Sequence, residues 1–77
     1  MFKLDINVNM ESKETCVASI EKYLMGLPAV VDFDVSFEDH HVTVIHTMEA
    51  ESIMEGIRGL GKTLELIGNV PFVLPGA

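Results

Sequence analysis

The sequence predicts an α+β fold in the order βαββαβ, with a four-stranded antiparallel sheet and two helices on one face. Three observations carry that prediction. Short segments alternate apolar and polar residues, two longer segments step by three and four as amphipathic helices do, and 77 residues leave room for one core. The 48% apolar and 22% charged content is that of an ordinary globular domain. With one cysteine no internal disulfide can offset the small size, so stability must come from patterning.

Phe2, Leu4, Ile6 and Val8 alternate with Lys3, Asp5 and Asn7, giving a half-buried first strand. Val17, Ile20, Leu24 and Leu27 then mark the first helix, with Ser12 as N-cap, Glu14 in its first turn, and Gly26 and Pro28 as its stop. Val31, Phe33, Val35 and Phe37 alternate with Asp32, Asp34 and Ser36 as the second strand. The polar turn EDHH (38–41) leads into a third strand, VTVIH (42–46), so these two form a hairpin. The second helix is expected from about Ala50 to Leu60, with Ile53, Ile57 and Leu60 inward and Gly59 and Gly61 ending it. KTLELI (62–67) reads as the fourth strand. Residues 1–68 therefore form the domain. Residues 69–77 are an uncharged, apolar tail with two prolines, read as an edge extension, a flap or a linker. Two βαβ halves in this order fold most simply as a ferredoxin-like sandwich.

That topology has a functional consequence. Strands and helices run so that the loop holding Cys16 (10–16), the EDHH turn and the GLGK turn (59–62) should converge at one end. Cys16 is expected there on an exposed rim.

The net charge of −7, with five basic residues thinly spread, disfavours nucleic acid, which needs a clustered basic face. A partner with a basic docking surface is the better expectation. No run approaches the ~18 apolar residues of a membrane span, and MFKLDINVN lacks a signal-type apolar core. A cytoplasmic setting is expected, where Cys16 stays a thiol.

From Met10 through TCVASIEKYLMGLPAV the chain resembles a heavy-metal-associated domain, the family of small copper chaperones and of the amino-terminal domain of the copper chaperone for superoxide dismutase. Met10, Cys16, Val17, Ile20, Glu21, Leu24, Leu27, Pro28 and Val30 stand in places comparable to the family's M-x-C-x-x-C-V pattern and to the helix and turn beyond it. DVSFEDHHVTVIH and GIRGLGKTLELIG fit its later elements. The resemblance covers residues 2–68 and implies Cu(I) handling, with Zn(II) or no metal as the weaker readings. The chain departs from the pattern in the loop. Only the family's second cysteine has a counterpart, Lys13 stands three residues before it, and the Met10–Cys16 interval is one residue longer.

Several residues are candidates for the site. Cys16, near a helix start, has backbone N–H groups and the positive dipole end to favour its thiolate, and soft Cu(I) prefers sulfur. By residue type alone the reading as a small, half-buried core residue is the stronger, and the loop resemblance is what brings the two level. Met10 can offer a thioether, although the equivalent methionine in the resembling family packs inward. His40 and His41 are candidate imidazole ligands from the hairpin turn, while His46 belongs to the far end. Lys62 matches a lysine that copper chaperones carry in the equivalent loop, where an ammonium offsets a negative thiolate site; Lys13 can add charge. No catalytic set is present in the sequence, so the chain is not read as an enzyme. The leading reading is transfer of Cu(I) on Cys16 with a second ligand from His40 or His41, a partner's thiol, or Cys16 of another copy in a homodimer. The alternatives are a degenerate interaction module without metal, and a small-molecule sensor dimerising through its sheet edge.

Overall fold

The computed structural model describes residues 1–73. Its strands are β1 (Phe2–Val8), β2 (Val30–Ser36), β3 (His41–His46) and β4 (Leu64–Pro71). The helices are α1 (Ala18–Met25), entered through a π-helical turn over Lys13–Val17, and α2 (Ala50–Arg58). The sheet order is β2-β3-β1-β4, every neighbouring pair antiparallel, as the ferredoxin-like sandwich requires.

β1 is central because it pairs on both edges and buries one face. Leu4, Ile6 and Val8 are fully buried under the helices, and β1 pairs with β3 on one side and β4 on the other. Val42 and Val44 of β3, Ile20 and Leu24 of α1, and Ile53, Met54 and Ile57 of α2 complete the core.

Four expectations shift by a residue or more. Strand alternation places Val31 inward, but a bulge between Val30 and Asp32 leaves it 51% exposed and brings Val30 against the core opposite His46. Leu60 is exposed because α2 ends at Arg58, and Gly61, with φ +85°, turns the chain through a conformation that favours glycine. Met54 fills the core in its stead. Lys62 and Thr63 lie in that turn, so β4 starts later and runs further than residues 62–67.

The fourth shift concerns the tail. β4 follows β1 to the pair Phe2↔Pro71, after a bulge at Ile67, and Phe72 N–H reaches the Met1 carbonyl at 2.9 Å. Residues 69–71 are thus an edge extension, where a proline is tolerated. Residues 74–77 lie outside the described residues. His46 sits at this far end, fully buried, with Nε2 2.9 Å from Asn69 Oδ1 and its ring 6.0 Å from that of Phe2.

The two helices touch where a glycine makes space. A Cβ on Gly56 would overlap the Tyr23 hydroxyl and the ring carbon bearing it. From that position the hydroxyl donates to the Ser52 carbonyl at 3.4 Å. Gly56→Ala gains about 1 kcal/mol of helix propensity yet evicts the ring, so a net loss of about 1–2 kcal/mol is expected. In a Tyr23→Ala background the same change should stabilise, as chemical denaturation of the four variants will read. A stabilising Gly56→Ala in the wild-type background would refute the close approach.

Candidate metal centre

The three turns are stitched together by consecutive backbone groups. At the end of β1, Val8 N–H donates to the His40 carbonyl at 2.7 Å, Asn9 N–H to the Thr63 carbonyl at 2.9 Å, and Met10 N–H to His40 Nδ1 at 3.3 Å. The hairpin turn and the α2–β4 turn therefore grip opposite sides of the strand that feeds the loop. Two clefts flank this junction, of about 420 and 200 Å³, and both are lined by Asn9 and Thr63.

Beyond the junction Met10 turns inward and is 2% exposed, which puts its thioether in the core. The chain then reaches Ser12, whose backbone is extended (φ −129°, ψ 125°) and whose carbonyl accepts from Cys16 N–H at 2.9 Å. Ser12 occupies the N-cap position in geometry, but its side chain makes no capping bond. The π-helical turn of Lys13–Val17 comes next; such turns accommodate an extra residue. The turn overlaps the Met10–Cys16 interval that is one residue longer than the resembled pattern, and beyond it Ile20 and Leu24 are fully buried in the core.

Cys16 is not on an exposed rim. It is 6% exposed and packs against the core, because the wide turn folds over it. Its open side lines the smaller cleft, with Asn9, Glu11, Gly61, Lys62 and Thr63. The thiol is held below its ordinary value. The backbone N–H of Ser12 contributes most, burial opposes it, and the Lys62 side chain and the Glu11 backbone N–H reinforce the lowering. Lys62 is thus beside the sulfur, whereas Lys13 lies on the exposed side of the wide turn and is not among the groups that lower the thiol.

A consequence can be measured. Alkylation of Cys16 by iodoacetamide should titrate with a midpoint below the ~8.5 of an ordinary thiol, since the thiolate is the nucleophile. Lys62→Met should move that midpoint upward. A midpoint at or above the ordinary value, or one indifferent to Lys62, would contradict the arrangement.

The two turn histidines diverge. His40 stays at the junction, bonded to Met10 and stacked on Phe37 with ring centroids 5.7 Å apart. His41 opens onto the helix-free face of the sheet, with Nε2 3.0 Å from Asp5 Oδ1 and Nδ1 3.4 Å from Asn7 Oδ1. Thr43 also donates to Asp5 Oδ1 at 3.0 Å. Burial raises the Asp5 pKa, but the bonds from His41 and Thr43 and the nearby Lys3 charge outweigh it, and the carboxyl lies below its usual value. Among the described residues, no three His, Cys, Asp or Glu side chains are grouped closely enough to hold a metal.

Sequence reasoning expected backbone N–H donors at the thiol but did not assign them to Glu11 and Ser12, and it missed the carbonyl of Thr63, since main-chain groups carry no residue signature. Gly61 was the available hint, because a glycine beside a lysine marks a turn that brings the lysine back over the sheet end.

An α+β sandwich with a thiol, an ammonium and backbone donors at the end of β1 defines a small ferredoxin-like domain with a soft-donor loop. The chain belongs to the heavy-metal-associated domain family, whose model matches residues 5–63. It is similar to the Cu(I)-loaded first domain of the human copper chaperone for SOD1, CCS, with 30% identity, coverage of 87% of this chain and 93% of that one, and a TM-score of 0.79. The apo HMA domain of a copper chaperone for superoxide dismutase shows 27% identity over 100% of this chain and 79% of that one, with a TM-score of 0.82. The yeast copper transporter domain Ccc2a shares the fold, at 23% identity over 88% and 97% of the two chains and a TM-score of 0.80. No curated protein sequence matches the chain. Among the described residues no helix is long and apolar enough to cross a membrane.

Proposed function

We propose that this domain is a copper carrier of the reducing cytoplasm, which binds Cu(I) on the Cys16 thiolate and completes the coordination with a sulfur from outside the chain. The observation that supports this most is the convergence of Lys62 and the Ser12 and Glu11 backbone donors on the one thiol, in an open cleft. Those groups favour the thiolate form that a soft cation needs. Two thiolates around Cu(I) leave one net negative charge, and the Lys62 ammonium offsets it. The likeness to a domain solved in its Cu(I)-loaded form, and the family itself, support copper as the cargo. Zn(II), which usually takes four protein donors in closed sites, is served less well.

The second sulfur comes from a partner's cysteine or from Cys16 of another copy. Met10 lies in the core, and His41 bonds Asp5 through Nε2 on the helix-free face, outside the cleft that Cys16 lines, so neither competes for the role. An open coordination position suits transfer by ligand exchange, and the −7 charge favours an acceptor with a basic face. Native mass spectrometry under reducing conditions tests the reading. Added Cu(I) should produce a dimer with one copper per two chains, dispersed by excess small thiol; a mass unchanged by Cu(I) would refute it.

The burial of Cys16 favours a second reading, an interaction module of the same fold that has given up metal. It differs in predicting no thiol-dependent uptake at all.

A further inference from the structure

Past the end of β1 its hydrogen-bond ladder continues on a side chain. Val8 N–H and Met10 N–H, two residues apart, face the same neighbour, as alternate strand residues do, and both end on His40. The first meets its carbonyl, the second its Nδ1. The intervening Asn9 N–H points the other way, to Thr63. The imidazole therefore stands in for the carbonyl that β3 would have offered had the chain not turned. That turn requires His40 in the left-handed region, at φ +51°, the one non-glycine there among the described residues. Stacking on Phe37, and donation of its own N–H to the Phe37 carbonyl at 3.2 Å, hold the residue in place. An amide N–H can only donate, so Nδ1 is the bare nitrogen and the proton is on Nε2.

We propose that His40 is a positioning residue, a clamp on the root of the metal loop that keeps Met10 in the core and Cys16 facing its cleft. Its imidazole is occupied in building the site and does not serve as a donor to the cargo. The consequence for copper rests on the carrier reading; the clamp itself does not.

Two substitutions separate the parts of the role. Asparagine accepts the left-handed conformation, and its Oδ1 stands as many bonds from Cα as Nδ1 does, so His40→Asn should restore the rung. His40→Gly accepts the conformation but has no acceptor. In the copper-free chain, hydrogen exchange of the Met10 amide should rise about fivefold in His40→Gly, the worth of one hydrogen bond, and stay within about twofold of wild type in His40→Asn. The Ile6 amide, inside β1, serves as reference and should be unmoved, which a merely general destabilisation would not allow. Nitrogen-15 spectra should show His40 as the Nε2–H tautomer. Release of Cu(I) to a chromophoric chelator should quicken about fivefold in His40→Gly and remain unchanged in His40→Asn.

The proposal is overturned if Met10 exchange ignores His40→Gly, if His40→Asn is as loose as His40→Gly, or if His40→Asn loses copper while Met10 stays protected, which would mark the ring as a ligand. Exchange results as expected, with no copper uptake even by wild type, would keep the clamp and remove the carrier.

Discussion

Replacing Cys16 by serine should lower Cu(I) affinity by about 100-fold or more. Loss of a group that only orients a metal ligand costs roughly 10–100-fold, and here the single thiolate of the chain is removed. A serine hydroxyl is hard and stays protonated at neutral pH, so neither the Ser12 and Glu11 backbone donors nor Lys62 has an anion to stabilise. The fold should survive, because Cys16 lies at the margin of the core beside a cleft and not at its centre. Cys16→Ala controls for the packing of the sulfur, and both variants should show near-native circular dichroism while failing to take up copper in competition with a chelator. Equal, weak uptake by wild type and both variants would end the carrier reading and leave the interaction module.

Leu4→Ala should be the most damaging single truncation for stability. Leu4 is wholly buried on the central strand, opposite Val44 on one side and Asn69 on the other, with no solvent into which the cavity could open. The expected loss is about 3 kcal/mol, against a total of roughly 4–12 kcal/mol for a domain of this length. Thermal melting should fall by about 12–24 °C. Val31→Ala is the contrasting case. Alternation along the second strand treats Val31 as a core residue, yet the bulge has turned it outward, and its truncation should cost less than about 0.5 kcal/mol. Comparable losses at the two positions would contradict the observed register.

The contrast between Leu4 and Val31 also shows how far the sequence could be read. β1 matches its expected limits because it pairs on both edges and buries one face, so every side chain's direction is fixed by the alternation. At Val31 and Ile67 an extra residue in one strand reverses the alternation, and pairing with a neighbour decides where that happens. Convergence of the three turns came from topology alone, and the turn after α2 brings Lys62 beside Cys16. The depth of Cys16 was not legible, since it depends on how a longer loop closes over the sulfur. Nor was the engagement of His40, which hinges on a left-handed backbone that nothing in EDHH demands of a histidine.

The wide turn over Lys13–Val17 has a consequence for how such a loop can change. One residue added to a regular α-helix rotates everything after it by about 100°, which would swing Ile20 and Leu24 out of the interior. A turn that absorbs the addition at its own position isolates the scaffold from the length of the segment ahead of it. Insertion or deletion between Met10 and Cys16 then alters which donors reach the cleft while the rest of the molecule keeps its phase. Binding chemistry and architecture become separately editable, and a chain can trade its ligand set without refolding its interior.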